Sequence, residues 1–581
     1  MSWEIVNRNL IVKAISELYY EEVIYNEIRE LSKGSYTLQL SEKLTYSFKA
    51  YQSIWRDLVI SADSLTRSDG LELDAASFFK ETQHLTKMGD ITLANFLEEM
   101  FHTLYSDQVM LQNPISVDKM QQLDSLEIEA YLNGHPKLIL NKGRIGWSPN
   151  DLSAFSPEQS SEIRFCRVAI KKDILVTNCQ KNKSFSEIIY ADLPEQDFNG
   201  LQEACIDKKI DFDSYYIVPV HPWQWENKIQ FFFQKDIDQK SIVYLSSAGD
   251  HYKPHISIRT FSNCNNRNLY DIKVPISILN TSCVRGIPAH YISVASEISD
   301  GVESILKQDG VFLEANTECL KDVAAFSYIA PAYRDIQDAP YRYKEFLGAV
   351  WREPSTTKLQ VNEKCLMTGS LAYLDENGQS FIGHLIEQSL LSIEAWLEEY
   401  FKKIIIPLYH LQSQYGIGLV AHGQNTILKL KNSIPSGLIV KDFQGDLRLN
   451  ENLPTETRRQ FSASTIDKLD FLPAEHIIHD LITGHFVSVL RFISQALYLS
   501  HRYQEKKFYH LLGSIISDYE NKYPTKSNTP SLLTRNFQRV LLNKVRFEIG
   551  YQDSAQRPKP QLGNPLLNPL IAKGDLHEQN I

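Results

Sequence analysis

Val420-Ala421-His422-Gly423-Gln424-Asn425, with Asp442 downstream in Lys441-Asp442-Phe443, sets an imidazole, two amides and a carboxylate around one short stretch. Protein kinases place an Asn in a catalytic loop and an Asp at the end of the next β-hairpin, and those oxygens hold Mg²⁺ against the phosphates of ATP. The stretch has that order. It predicts the phosphate-handling edge of an ATP site, with Asp442 as metal ligand and Asn425 as the second. Alone, a loop His beside an amide side chain equally fits a turn that satisfies its own backbone. Upstream, Leu390, Ile393, Trp396, Leu397, Tyr400, Phe401 and Ile404 fall at helical spacing, which predicts a long amphipathic helix from about 385 leading into Tyr415-Gly416-Ile417-Gly418 and this loop.

A second cluster lies earlier in the chain: Ser257-Ile258-Arg259-Thr260, then Lys273, then Arg285 after Asn280-Thr281-Ser282-Cys283. Alternation through Ile256, Ile258 and Thr260 predicts a strand with Ser257 and Arg259 on one face. Val274, Ile276 and Ile278 predict another whose opposite face carries Lys273. Three fixed cations would then converge on a polyanion, with Ser257 and Thr260 adding neutral donors. Taken singly, each cation also fits a charge that protects a sheet edge.

Together these segments resemble the IucA/IucC family of siderophore synthetases, which work without a nonribosomal peptide template. The resemblance runs over most of the chain: Gly134-His135-Pro136 with Lys142, Arg144 and Gly146, then His221-Pro222-Trp223-Gln224, the S-x-R-T stretch, Lys273, Arg285, the H-x-Q-N loop and Asp442. Asn564-Pro565-Leu566 and Asn568-Pro569-Leu570 are similar to the family's C-terminal extension. The resemblance implies an α+β fold in three parts: a helical thumb (1–150), a strand-rich fingers part carrying the basic cluster (151–384) and a kinase-like palm (385–581). It implies ATP and Mg²⁺ as cofactors, adenylation of a citrate carboxylate, and displacement of AMP by a polyamine or other amine. A diamine such as putrescine, giving a rhizoferrin-like product, and a homodimeric enzyme are further implications. Ser257, Arg259, Thr260, Lys273, Arg285, His422, Gln424, Asn425 and Asp442 are then the nucleotide-site residues, with His422, Arg285 and Lys273 in catalysis. His135, Lys142, Arg144 and Arg539 fall to the substrate.

The chain departs from the family pattern at three points. A second His-Pro pair is replaced by Leu138-Ile139, Val420 stands where many relatives carry Glu, and Arg539 stands where a citrate-binding Lys is expected, keeping charge but changing geometry. Three alternatives stay open: action on a preformed citryl intermediate, phosphotransfer with release of ADP, and a binder of citrate or ferric siderophore without turnover. Against phosphotransfer, neither a P-loop nor a kinase-type Gly-rich loop precedes the basic cluster.

At 581 residues the chain is long enough for roughly three or four domains. A net charge of −11 argues against a nucleic-acid partner, so an anionic substrate must meet a local basic pocket. Seven scattered cysteines without a C-x-x-C pair read as reduced thiols. The N-terminal residues lack a signal-peptide pattern and no stretch reads as a bilayer span; the greasiest, at Ile404-Ile405-Ile406, is flanked by Lys402-Lys403 and broken by Pro407. A cytoplasmic enzyme without a membrane partner is expected. Residues 1 to about 150 read as mainly helical, through Leu10, Ile11, Ala14, Ile15 and Leu18 and again through Leu93, Phe96, Leu97, Met100, Phe101 and Leu104. From about 160 to 380 the pattern turns strand-rich, including Tyr216 to Val220 and the alternation His290-Tyr291-Ile292-Ser293-Val294. Trp223 and Trp225 read as core, His476, His479 and Asp480 as surface or capping residues, and the Pro/Asn-rich tail from Arg557 to Pro569 as extended chain lying on another surface.

Overall fold

The computed structural model describes residues 2–281, 283–556 and 560–571 of a mixed α/β protein. The first apolar stripe forms the helix Ser2–Tyr20, which buries Leu10, Ile11, Ala14, Ile15 and Leu18 against the helix Asp90–Met110. Phe101, expected inside, is exposed. Between these helices lies an antiparallel sheet that the helical reading missed: Ile28–Ser32, Ser35–Gln39, Thr45–Gln52 and Leu58–Ile60 in chain order, with Thr66–Arg67 on the third strand. Its signal was present, since Tyr46 and Phe48 go inward while Ser47 and Lys49 face out.

The middle of the chain builds a six-stranded sheet in the order Tyr252–Pro254, Thr260–Asn263, Asp271–Lys273, Leu347–Arg352, Asp322–Tyr328 and Val176–Cys179. Three predicted strands are corrected. Residues 256–259 form a turn, with Ile258 at φ +61°, and the strand starts only at Thr260. The run from Lys273 to Ile278 divides at Pro275 between two sheets, because proline brings no N–H to a ladder. Residues 289–292 are the helix Ala289–Ile292, burying Tyr291 and Ile292. Trp223 and Trp225 lie in the apolar core of this region. His221 caps the helix Pro222–Gln224 through Nδ1, and the Gln224 amide clamps Ser277 and the Phe346 carbonyl.

The predicted long helix is two. Phe381–Ser389 ends at Leu390 in the left-handed region, and Ser392 caps the next helix, Ile393–Tyr400. That helix runs through a π turn, Phe401–Ile405, into Ile406–Tyr415. The wider turn lets the helix continue across Pro407, which has no N–H to donate. The hairpin Thr426–Lys431/Ile434–Val440 pairs outward with Glu363–Met367 and Thr317–Cys319. Residues 474–501 are long and apolar enough to cross a bilayer by length and composition, and the fold buries most of that run. A helix apolar all round belongs in a large core. The part of the tail within the described residues is a strand, Gln561–Leu567, paired with Asn536–Leu541; residues 557–559 fall outside them.

Candidate functional site

The 420–425 loop is fixed at nearly every residue. The Val420 N–H donates to the Asp446 carbonyl, the Ala421 N–H to the Asp480 carbonyl, and Asn425 N–H and the Thr426 hydroxyl both reach the His422 carbonyl. His485 Nδ1 lies 2.8 Å from the Ala421 carbonyl, so that nitrogen donates, and Nε2 accepts from the Tyr400 hydroxyl at 3.1 Å. Burial pushes His485 down to about 4, in keeping with a neutral ring. Gly423 crosses Gly369 backbone to backbone; a Cβ at 423 would lie 2.7 Å from the Gly369 Cα, so only glycine fits.

His422 accepts the Gln424 N–H at Nδ1 (3.2 Å). Burial holds the ring below the usual histidine range despite Asp446 and Asp442, so the neutral tautomer carries its proton on Nε2. His422, Gln424 and His135 line a cavity of about 340 Å³ together with Gly134, Ile256 and Met367. Burial, then His422 and the cations Lys13, Lys137 and Arg285, push His135 down to about 3, and its Nδ1 has no hydrogen-bond partner.

Asp442 ends the hairpin at φ +73°, a region where Asp is tolerated better than most side chains. Its Oδ1 receives Lys273 Nζ at 2.5 Å and Arg352 Nη2 at 3.3 Å, while Arg352 Nε holds Asp322 at 2.8 Å. Burial opposes its charge, yet Lys273, Arg352 and Arg259 keep the carboxyl well below its ordinary range. Burial lowers the Lys273 ammonium in turn; Asp442 opposes that shift, and Arg259 and Arg352 add to it. Asn425, Asp442, Asp446 and Val420 line one narrow crevice. The Asn425 amide nitrogen donates to the Val420 carbonyl (3.1 Å) and to Asp446 Oδ2 (3.0 Å), which leaves Oδ1 as its remaining donor atom for a cation. Asp446 thus brings a second carboxylate, beside that of Asp442, to the crevice.

The structure therefore brings Lys273 and Asp442 together and sets Arg259 within their electrostatic reach. Thr260 lies opposite Lys273 in the strand register, and the Ser257 hydroxyl accepts the Thr260 N–H. Arg285 donates from Nε to the Asn280 carbonyl and influences both cavity histidines. Three expected substrate residues sit apart from that cavity. Lys142 pairs with Asp107 at 2.8 Å and Arg144 with Glu158 at 2.6 Å, behind a second cavity of about 570 Å³ lined by both acids and Lys13. Arg539 pairs with Glu22 and lies over the Tyr20 ring, beside Lys137 and Arg491. Sequence reasoning missed Arg352, Asp446 and His485. Arg352 closes an otherwise apolar strand, and only its charge at that place could have marked it.

The chain matches the model of the IucA / IucC family over residues 124–373 and that of the ferric iron reductase FhuF-like transporter family over residues 394–555. It is 34% identical to aerobactin synthase of Escherichia coli, covering 98% of each chain. It is 26% identical to a citryl-spermidine/3,4-dihydroxybenzoyl-citryl-spermidine:spermidine ligase of Bacillus anthracis, covering 97% of this chain and 93% of that one. Among solved structures, aerobactin synthetase IucC from a hypervirulent pathotype of Klebsiella pneumoniae superimposes with a TM-score of 0.87 at 31% identity, covering 98% of both chains. With near-full-length identity above 30%, and with Lys273 of the basic cluster on Asp442 beside the H-x-Q-N loop, the chain belongs to the IucA/IucC family of siderophore synthetases and is a ligase of that family.

Proposed function

We propose that this enzyme uses ATP and Mg²⁺ to adenylate a carboxylate of citrate and then joins the acyl group to a polyamine, releasing pyrophosphate and AMP. The observation that carries the reading is the sharing of Asp442 between Lys273 and Arg352, with Arg259 in electrostatic range. Two polyanions must meet before carboxylate oxygen attacks the α-phosphorus, and cations set in place beforehand offset their repulsion. In the three-part division the cations come from the fingers and Asp442 from the palm, so nucleotide would seat between them. Lys273 and Arg352 then turn to phosphate, with Ser257, Thr260 and Arg285 completing the cradle. Asp442 and the Asn425 Oδ1 suit Mg²⁺, which prefers hard oxygen donors, and it would neutralise charge developing on the phosphoryl oxygens. The Nε2–H of His422 and the side chain of Gln424 supply hydrogen bonds to citrate or phosphate. The amine nitrogen attacks the acyl carbon, AMP leaves with the bridging oxygen, and the nitrogen gives up a proton.

A second reading, action on a preformed citryl amide, is favoured by the near-full-length match to the citryl-spermidine ligase. Pyrophosphate exchange into ATP, with free citrate and a citryl monoamide tested side by side and Asp442→Ala as control, separates the two. Citrate-dependent exchange abolished by the substitution is the expected result. Exchange with the monoamide alone transfers the reading to the second substrate, and ADP in place of AMP overturns both.

A further inference from the structure

One buried hydrogen-bond chain outside the motifs ties the wall of the 340 Å³ cavity to the turn at 256–259. Glu129 ends the helix Ser125–Glu129 and is 3% exposed. Its Oε2 accepts the Ile256 N–H at 2.8 Å, and its Oε1 lies 2.9 Å from His255 Nδ1. His255 Nε2 lies 2.7 Å from the Ser262 hydroxyl, whose proton goes to Asp271 at 2.5 Å. Both ring nitrogens therefore face acceptors. The backbone closes the same turn, from the His255 N–H to the Thr260 carbonyl and from the Ile258 N–H to the His255 carbonyl, each at 2.8 Å.

We infer that Glu129 and His255 are positioning residues of the nucleotide site, pinning the Ser257-to-Thr260 turn to the Gly134-His135-Pro136 wall on one side and to the Lys273 strand on the other. The inference rests on the proposed nucleotide role of that turn. Ile258 is β-branched and held at positive φ, a conformation that persists only where surroundings over-determine it. The pin supplies that constraint, because Glu129 grips Ile256 at the head of the turn and Asp271 lies on the strand that ends at Lys273. The chain continues from Glu129 directly into Leu132, Asn133, Gly134 and His135 of the cavity wall, and Ile256 lines the same cavity. The turn is thereby held in its proposed nucleotide-binding shape before ATP arrives, so that little ordering remains to be done on binding.

Glu129→Gln, isosteric and still able to accept from Ile256, tests this in the full-length protein, with Ser262→Ala as a second variant that trims one hydroxyl. The KM for ATP in pyrophosphate exchange should rise about tenfold with kcat changed less than about twofold, the size of one lost charge-assisted hydrogen bond. Hydrogen–deuterium exchange at residues 255–260 should speed up without any ligand. Unchanged exchange there together with an unchanged KM for ATP overturns the inference, as does a fall in kcat alone. If the wild type turns over no acid, the adenylation reading fails, while the deuterium exchange still decides the pin.

Discussion

The loop at 420–425 and the turn at 255–260 serve one proposed site but are held by different ranges of contact. The loop's own side chains bond within a few residues, His422 to the Gln424 N–H and Asn425 to the Val420 carbonyl, although Asp480, His485 and Gly369 also brace its backbone. The turn instead depends on Glu129, more than a hundred residues away, and on a strained Ile258. Locally closed geometry survives as a motif in the sequence, whereas geometry imposed by distant partners does not. That is why alternating Ile256, Ile258 and Thr260 read as a strand, while only Thr260 belongs to one.

The comparison breaks hardest where the two segments meet. Lys273→Met leaves Asp442 with Arg352 alone and removes a cation from the proposed phosphate site; kcat/KM for pyrophosphate exchange should fall about 10³-fold. A loss under about tenfold would mean the cations act singly. Gly423→Ala tests the loop: the added Cβ meets Gly369 backbone, the loop must shift, and activity should drop about 10²-fold. Activity near wild type would show the crossing to be adjustable. The smallest effect concerns the His485 anchor. The unfolded chain takes up that proton near pH 6.5 and the folded one only near 4, so this stability is fully present above about 6.5 and is lost as pH falls toward 4. His485→Gln should shrink the stability difference between pH 7 and pH 5, read from urea midpoints, by roughly 2 kcal/mol. An unaltered difference would place the acid sensitivity on other buried histidines.

Much of the palm side was legible because its elements are coded by short-range pattern: the apolar stripe at Ile393 to Ile404, the loop and the hairpin ending at Asp442. Its errors were local too, as at Leu390, where one left-handed residue ends a helix that the hydrophobic spacing would have carried through. The fingers side was harder. Lys273 stood out in the sequence and lies on Asp442, yet Arg352, which shares the same carboxylate, is marked only by its charge at the end of an apolar strand and was found by tertiary contact. Lys142 and Arg144 show the converse: motif cations whose partners, Asp107 and Glu158, are invisible until the chain folds.

The strand Gln561–Leu567 and the residues after it complete the interior that the rest of the chain begins: Leu566 and Leu570 enter the largest core, and the buried Asn568 amide holds the Leu532 and Thr534 carbonyls. The first helix is also clasped late, since Glu21 binds the backbone of Leu542, Asn543 and Lys544. During vectorial synthesis the ribosome would emit the loop at 420–425 well before these closing pieces. Maturation of the fold therefore waits on these late segments, and a nascent chain stalled before them would expose an open seam and invite chaperone capture.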